Sequence, residues 1–104
     1  MGQDAVIKTV RQFKKVLESS NVQVEELILF GSHATGSARE DSDIDLIVIS
    51  PSFANKSYWE RIDILSEAIY QLFVPIEASA FTPEEWKAGQ SLLVDYAQNG
   101  VVVQ

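Results

Sequence analysis

Two aspartates in alternate positions of a predicted strand are the residues best placed to do chemistry. Asp43 and Asp45 stand on either side of Ile44, in a stretch over residues 43–50 that otherwise reads as core and is closed by Pro51. Alternate side chains of a strand point to the same face, so the two carboxylates are expected to lie side by side. Like charges this close repel unless a cation binds between them. Carboxylates prefer hard cations, so the pair predicts a magnesium or manganese site that also takes phosphate oxygens.

A Gly-Ser turn follows the preceding predicted strand. Residues 24–30 end in LILF, and Gly31 and Ser32 come directly after them. Where a glycine ends a strand and a helix begins at once, backbone N–H groups at the start of that helix can receive an anion. If residues 31–36 begin a short helix, the Ser32 hydroxyl adds another donor. The phosphates of a nucleotide are then predicted to lie on this turn while the aspartates hold their metal.

Helical and extended patterns alternate along the rest of the chain. Residues 4–19 carry apolar side chains at helical spacing, which predicts an amphipathic helix. A second long helix is predicted over residues 57–73, where an apolar stripe from Trp59 to Phe73 is interpreted as core covering one face of the sheet. Residues 75–81 are expected to return as a third strand.

The segment after that strand has the pattern of a helix start. Thr82 is a capping residue, proline follows at the first helical position, and Glu85 stands at the third. Glu84 and Glu85 are therefore interpreted as parts of a helix start rather than as catalytic acids. A last short helix around Leu92, Leu93 and Tyr96 is expected to end at Gly100, and residues 101–103 are expected to add an edge strand. The alternation predicts an α/β or α+β fold, with a small mixed sheet flanked by helices.

Composition narrows the class of protein. The 104 residues are expected to form one domain, residues 1–104, which is long enough to bury a core without covalent staples. The absence of cysteine excludes disulfides, thiolate zinc sites and cysteine nucleophiles, so a cytoplasmic location is expected. The sequence has no pattern of a signal peptide or a membrane span.

The charge balance bears on the partner. A net charge of −7 comes from 15 acids against 8 scattered bases. Affinity for long nucleic acids depends on neutralising phosphates, so such a partner is disfavoured. A small anion that arrives with its own divalent metal remains compatible with this surface, because the metal brings the missing positive charge.

The residues around these motifs resemble a known family. Gly31-Ser32, Gly36, Ser42 and the Ser-Asp-Ile-Asp-Leu run are similar to the signature of the polymerase beta-type nucleotidyltransferase superfamily, especially its minimal nucleotidyltransferases. The resemblance implies transfer of a nucleoside monophosphate from a triphosphate, with release of pyrophosphate. It also implies two magnesium ions that lower the pKa of the attacking hydroxyl and stabilise charge on the leaving oxygen. In this scheme the nucleotide is bound by Gly31, Ser32, Gly36, Arg39 and Ser42.

The resemblance also implies a third carboxylate, from the strand before a Thr-Pro-Glu-Glu-like helix start. Glu77 is the only acid of that strand and stands where family members commonly carry aspartate. Asp43, Asp45 and Glu77 are thus the implied catalytic and metal-binding set. Glutamate is one methylene longer, and the third ligand also serves as general base, so this departure affects activity more than nucleotide binding. The alternative interpretation of Glu77 is an exposed glutamate on an edge strand.

A second departure concerns positive charge near the phosphates. Minimal family members often read Gly-Ser-Arg-Ala-Arg-Gly, whereas this chain has His33 and Thr35 at those places and Arg39 as the nearest cation of the loop. A lower affinity for triphosphate is expected. His33 is open to two interpretations: a protonated contact to phosphate or acceptor, or a solvent-facing side chain without a role.

Two classes of function follow from the resemblance. The first is an adenylyltransferase that moves AMP from ATP to an acceptor, with the tyrosine of a helical HEPN-domain toxin as the expected acceptor and the chain as its antitoxin. The second is a nucleotide-binding antitoxin or interaction module that acts on its HEPN partner by contact alone. A polymerase or tRNA-end enzyme is disfavoured because the chain has no basic groove. The oligomeric state, whether with itself or with a partner, is left open.

Overall fold

The computed structural model describes residues 2–39, 42–89, 92–97 and 100–103. Its helices are α1 (Gln3–Ser19), α2 (Ser32–Thr35), α3 (Tyr58–Leu72), α4 (Pro83–Ala88) and α5 (Leu92–Tyr96). Its strands are β1 (Glu26–Phe30), β2 (Ile44–Ile49), β3 (Ile76–Phe81) and β4 (Val101–Val103). None of the helices described is both long and apolar enough to cross a membrane.

The four strands form one mixed sheet in the order β3-β2-β1-β4. β1 runs antiparallel to both β2 and β4, whereas β2 and β3 are parallel. A parallel pair needs a crossover connection, and α3 provides it between β2 and β3. The predicted α+β fold with a small mixed sheet is confirmed, and so is the predicted edge strand at residues 101–103.

One face of the sheet is packed against α1 and α3. Val6, Val10, Phe13 and Leu17, the apolar stripe predicted for the first helix, are completely buried. They pack with the strand side chains that alternate toward this face, and with Leu65 and Ala68 of α3. The strand members of this core are Leu27, Leu29, Ile44, Leu46, Val48, Ile76 and Val103.

The other face of the sheet is divided between apolar and acidic side chains. Ile28, Ile47 and Ile49 form a second, smaller core together with Ala97. Trp86 of α4 and Leu93 of α5 pack against it. Asp45 and Glu77 project on this same face, because each alternates with a neighbour that faces the α1 and α3 side. The sheet thus carries its carboxylates on the face that the two long helices leave open.

The helix start at Thr82 forms as predicted. The Thr82 hydroxyl accepts from the Glu85 N–H at 3.1 Å, and the Glu85 carboxylate accepts from the Thr82 N–H at 2.8 Å. Glu85 also forms a salt bridge with Arg61 of α3 at 2.6 Å. These contacts confirm the structural interpretation of Glu85 and attach α4 to α3.

Several predicted boundaries differ from those observed, most of them by one or two residues. β1 begins at Glu26 rather than residue 24, and β2 begins at Ile44, so Asp43 lies just before the strand. α5 ends at Tyr96 rather than at Gly100, whose N–H instead bonds to the carbonyl of Ala97. A Cβ at Gly100 would lie 2.7 Å from Ile28, so the chain must pass close to β1 there in order to enter β4. Residues 98–99 of the predicted last turn lie outside the described residues.

The prediction that the whole α3 stripe is core is wrong at both ends. Trp59 is 71% exposed and Phe73 is 84% exposed, whereas Leu65 in the middle is buried. Trp59 stands in the first turn of α3 and packs edge-on against the neighbouring Tyr58. Phe73 ends the helix in the left-handed conformation, at φ 53°, so it no longer follows the helical repeat. Helical spacing therefore identified the middle of this stripe but overestimated its length.

Candidate active site

The pairing of β2 with β3 brings Asp45 next to Glu77. In the parallel register Asp45 is the direct partner of Glu77, and on its other side Asp45 is the partner of Phe30 in β1. Side chains of residues paired in this way lie on the same face of the sheet. Phe30, Asp45 and Glu77 therefore form one row across three strands, and two of the three predicted carboxylates are neighbours.

The surroundings of Asp45 disfavour its charged form. Partial burial raises the pKa of Asp45 above its ordinary value of 3.8, and the negative charges of Glu77 and then Asp43 raise it further. His33 acts in the opposite direction and lowers the same pKa. The carboxylate is thus held in a place where its negative charge is disfavoured, as expected for a group that binds a cation or a proton.

The Asp45 side chain points at the glycine turn. Gly31 has φ 75°, and a Cβ added there would overlap the Asp45 carboxylate. A side chain at position 31 would therefore be excluded twice, first by the left-handed backbone and then by this contact. The turn predicted to receive phosphate and the carboxylate predicted to hold metal are in direct contact.

Asp43 follows a loop that is closed by local hydrogen bonds. The Arg39 N–H donates to the Ser42 hydroxyl at 2.8 Å, and the Ser42 N–H donates to the Arg39 carbonyl at 3.1 Å. The Arg39 side chain is exposed, as is Asp43. Ser42 therefore shapes the loop through its hydroxyl, and Arg39 is left with its charge in solvent.

His33 is buried, which corrects the solvent-facing interpretation. It is 7% exposed, and its Nε2 lies 3.1 Å from the Ser42 carbonyl oxygen. A carbonyl only accepts, so the ring donates from Nε2. This bond ties α2 to the residue before Asp43 and so links the turn to the aspartates. The sequence showed a lone histidine in the turn but not the fold that buries it.

The rest of the turn forms the short helix that was predicted. Gly36 ends α2 in the left-handed conformation, with φ 79°. The Thr35 hydroxyl bonds to the Ser37 hydroxyl at 2.8 Å and turns back toward the carbonyl of Ser32. Thr35 therefore stabilises the loop and supplies no charge.

Comparison with protein families gives a match along most of the chain. The family model described as a nucleotidyltransferase domain matches residues 10–99. The chain belongs to the nucleotidyltransferase domain family. The sequence-based resemblance is confirmed at this level, and the Gly31 turn, Asp43 and Asp45 all fall within the matched range. No curated protein matched the sequence.

Two solved structures share the fold of this nucleotidyltransferase domain. A protein from Sulfolobus solfataricus described as a nucleotidyltransferase superposes with a TM-score of 0.71 at 21% identity, over 96% of this chain and 80% of that one. A toxin-antitoxin structure with AMP-PNP superposes with a TM-score of 0.62 at 17% identity, over 100% of this chain and 73% of that one. At these identities the likeness establishes the fold.

A divalent metal fits the chemistry of the three carboxylates, although they do not stand as a finished ligand set. Among the described residues no group of three His, Cys, Asp or Glu side chains is arranged to hold an ion. Asp45 is held against the turn, whereas Asp43 and Glu77 are exposed and have room to rotate. Burial, and then the negative charges of Glu77 and Asp43, raise the pKa of Asp45, and a bound cation would offset the repulsion between these charges. The nucleotidyltransferase domain therefore has suitable donors, two of which would turn toward the metal.

A cleft of about 570 Å³ opens beside these carboxylates. Asp45 and Glu77 form its acidic wall, and Phe30, Ile69 and Tyr96 are among its apolar lining residues. Sequence analysis missed these apolar residues, because they come from β1, α3 and α5 and meet only in the folded chain. Such a mixture of apolar walls and a few polar groups is typical of small-molecule sites.

Proposed function

We propose that this nucleotidyltransferase domain transfers AMP from ATP to the hydroxyl of a protein tyrosine, on a HEPN-domain toxin for which it is the antitoxin. The observation that supports this most is the contact between the Asp45 carboxylate and the Gly31 turn, with Glu77 in register beside Asp45. A phosphate site and a carboxylate site that touch are what nucleotidyl transfer requires.

Each residue then has a stated role. Asp43, Asp45 and Glu77 hold magnesium or manganese, which when bound would supply Lewis acidity and neutralise phosphate charge. The Glu77 carboxylate takes the proton of the attacking hydroxyl. The acceptor oxygen forms a bond to the α-phosphorus of ATP, the bond from that phosphorus to the bridging oxygen breaks, and pyrophosphate leaves.

The nucleotide is held by the turn and the loop that follows it. Gly31 allows close approach of phosphate, and the Ser32 hydroxyl donates to it. Gly36 ends the helix, and the Ser42 hydroxyl, bound to the Arg39 N–H, fixes the loop. The exposed Arg39 side chain supplies the positive charge nearest the triphosphate. Because this loop supplies a single such cation, a modest affinity for ATP is expected.

A protein acceptor agrees better than a nucleic acid with the surface charge. The net charge of −7 disfavours a long polyanion. The toxin-antitoxin structure with AMP-PNP shares this fold, which supports a nucleotide and a protein as the two partners. A tyrosine hydroxyl is accessible on a protein surface and, like the sugar hydroxyl in nucleic-acid synthesis, becomes a good nucleophile when its proton is removed.

A second candidate function is inhibition of the partner by contact alone. Two observations favour it: glutamate stands where the family commonly has aspartate, and the three carboxylates do not converge on a common point. A protein that keeps the fold and the nucleotide site could then bind its HEPN partner without modifying it.

Transfer and contact are separated by one experiment. The purified chain, magnesium and ATP labelled at the α-phosphate are incubated with a candidate HEPN-domain partner protein, and modified partner is detected by label and by mass. Label on a partner tyrosine is expected with the wild type and absent with Asp43→Asn plus Asp45→Asn. The matched control is Glu84→Gln, an exposed acid of the α4 start, which should transfer AMP normally.

The opposite result would identify the contact function. If wild type and double variant protect cells from the toxin equally well and neither labels the partner, transfer is excluded. A thermal shift with magnesium and AMP-PNP reports on the metal and nucleotide site independently of catalysis. An increase in Tm is expected for the wild type, and none for the double variant.

A further inference from the structure

β3 lies at an edge of the sheet, and half of its backbone groups face outward. In the part of the chain that the structure describes, its only strand partner is β2. The Pro75 carbonyl accepts from the N–H of Ile44 in β2, and the Phe81 carbonyl accepts from the N–H of Ser50 just after β2. Because backbone groups alternate sides along a strand, the N–H and C=O groups of Ile76, Ala78 and Ala80 point away from the sheet.

Among the residues that the structure describes, little of the protection that edge strands usually carry is found at this edge. Exposed edges are commonly blunted by lysine, by proline within the strand or by a covering element. The middle of β3 instead has the small side chains of Ala78, Ser79 and Ala80. A cleft of about 560 Å³ runs along them, with Leu65 of α3 and Leu93 of α5 among its other lining residues. The edge therefore lies in a groove with apolar walls.

The two ends of the groove differ in charge. Asp45 and Glu77 lie at the end where β3 begins. Lys56 lies at the end where β3 finishes, beside the Arg61 and Glu85 salt bridge. An extended chain with an acidic side chain at the Lys56 end and a neutral hydroxyl at the Glu77 end would match this distribution.

We propose that the edge of β3 binds the acceptor protein as an extended peptide, which adds an antiparallel strand and places its reactive hydroxyl beside Glu77. This inference rests on the proposed transfer to a protein hydroxyl and names how that acceptor is held. Strand addition of this kind gains affinity from main-chain hydrogen bonds and specificity from alternate side chains.

The register determines which acceptor residue reaches the carboxylates. Glu77 bonds inward to β2, so an added antiparallel residue opposite it forms a non-hydrogen-bonded pair, with Cα atoms about 4.5 Å apart and side chains close together. That side chain extends the row of Phe30, Asp45 and Glu77 by one strand. Its neighbours on either side point toward the α3 wall, where Ile62 and Leu65 favour apolar side chains.

A synthetic peptide tests the proposal without needing catalysis. In the sequence Glu-Val-Thr-Val-Tyr-Val the tyrosine falls opposite Glu77, the valines opposite Ile76, Ala78 and Ala80, and the acid toward Lys56. Titration into wild-type protein is followed by amide NMR. The amides of Ile76, Ala78 and Ala80 should shift, and their hydrogen exchange at saturation should slow by about tenfold or more.

Backbone methylation provides the matched control. Methyl on the nitrogen of the central valine removes a hydrogen bond to Ala78, whereas methyl on the threonine nitrogen points away from β3. The first peptide should bind about tenfold more weakly, and the second should bind like the parent. Equal weakening by both methyl groups, shifts confined to other surfaces or no binding at millimolar peptide would overturn the proposal.

A protein variant tests the same edge during transfer. Ala80→Pro removes an outward N–H and leaves the bonds to β2 in place, whereas Ala80→Val adds similar bulk and keeps the N–H. AMP transfer to the partner should fall about tenfold or more in Ala80→Pro relative to Ala80→Val. Equal transfer by both variants would overturn the proposal that β3 binds the acceptor, but it would not contradict the proposed transferase function.

Two further outcomes are distinguishable. Peptide binding at the edge with no AMP transfer to any protein would contradict the proposed function and leave the edge as a binding site. Amides of Ile76, Ala78 and Ala80 already protected in the free protein, together with a dimer that Ala80→Pro converts to monomer, would assign the edge to a second copy of the chain. That result would overturn the proposal.

Discussion

The two ends of β3 hold carboxylates in opposite environments. At its start, Glu77 and the neighbouring Asp45 have acids as their partners, and the pKa of Asp45 is raised by burial and then by Glu77 and Asp43. Just after its end, Glu85 accepts from Arg61 and from the Thr82 N–H, and these hydrogen bonds lower its pKa. The neighbours of Asp45 thus disfavour its negative charge, whereas the neighbours of Glu85 stabilise its negative charge.

The difference separates a structural acid from a functional one. Glu85 finds a cation and a helix start within the fold, so its charge helps to hold α4 against α3. Asp45 is partly buried and, among the described residues, has the acids Glu77 and Asp43 as well as the His33 ring nearby, so its negative charge opposes folding until a cation binds. Proteins keep such unfavourable groups mainly where they bind or react.

The largest expected effect comes from removing the unfavourable acid. Asp45→Asn should reduce AMP transfer by roughly a thousandfold, because it removes the ligand in contact with the turn. The same change should leave the metal-free protein at least as stable, since it removes a repelled charge. Glu85→Gln is the matched control and should do the reverse, with transfer nearly unchanged and a lower Tm. Activity assays paired with thermal unfolding check both; an unstable but active Asp45→Asn protein would contradict the comparison.

A smaller effect is expected at Glu77. Glu77→Gln should slow transfer by about a hundredfold through loss of the proton acceptor. Glu77→Asp should keep or increase the rate, because it keeps a carboxylate and supplies the residue that the sequence resemblance implies at this position. Transfer rates at saturating ATP distinguish these outcomes. A fully active Glu77→Gln protein would favour the interpretation of Glu77 as an ordinary edge-strand residue.

Two glycines of the turn separate backbone strain from contact with Asp45. Both have positive φ, but a Cβ at Gly31 meets the Asp45 carboxylate, whereas one at Gly36 meets nothing within 4 Å. Gly36→Ala should cost about 1 kcal/mol of unfolding free energy, and Gly31→Ala about 2–3 kcal/mol with loss of the magnesium-dependent thermal shift. Urea unfolding measures the difference. Equal costs for the two variants would mean that the contact at Gly31 is unimportant.

The smallest effect is a pair of opposite pH dependences. Asp45 binds its proton more tightly in the folded chain, so its contribution to stability is fully present below pH 3.8 and is lost as pH rises through its raised pKa. Glu85 contributes stability above pH 4.5 and loses it as pH falls through its lowered pKa. With a chelator present, the free energy of unfolding of Asp45→Asn should therefore increase relative to that of wild type as pH rises. The free energy of unfolding of Glu85→Gln should approach that of wild type at acidic pH. Urea unfolding across pH checks both slopes, and parallel curves for the two variants would contradict the assignment.

Much of the fold and part of the candidate site were predictable because they depend on short stretches of chain. The capping pair of Thr82 and Glu85 and the short helix after Gly31 involve neighbours within a few residues. The buried stripe of α1 follows from helical spacing. Because side chains alternate along a strand, the sequence also indicated that Asp45 points to the opposite face from Ile44 and Leu46. Local chemistry of this kind is readable without the rest of the chain.

Other features required contacts between distant segments. The burial of His33 against the Ser42 carbonyl, the exposure of Trp59 and Phe73, and the apolar lining of the cleft arise where elements meet. A hydrophobic pattern indicates which face of a helix is buried, but not how far along the helix the neighbouring elements cover that face. The length of the buried stripe was therefore overestimated in α3.

By itself the sequence determined the order of helices and strands, the Gly-Ser turn, the alternate aspartates and the family, because each depends on residue types at short spacing. Only the tertiary structure decided that Asp45 is the partner of Glu77 and lies against Gly31, and that β3 is left at an edge. Strand order and register are settled by packing across the whole sheet, since residues far apart in the chain must share one core before any two of them become neighbours.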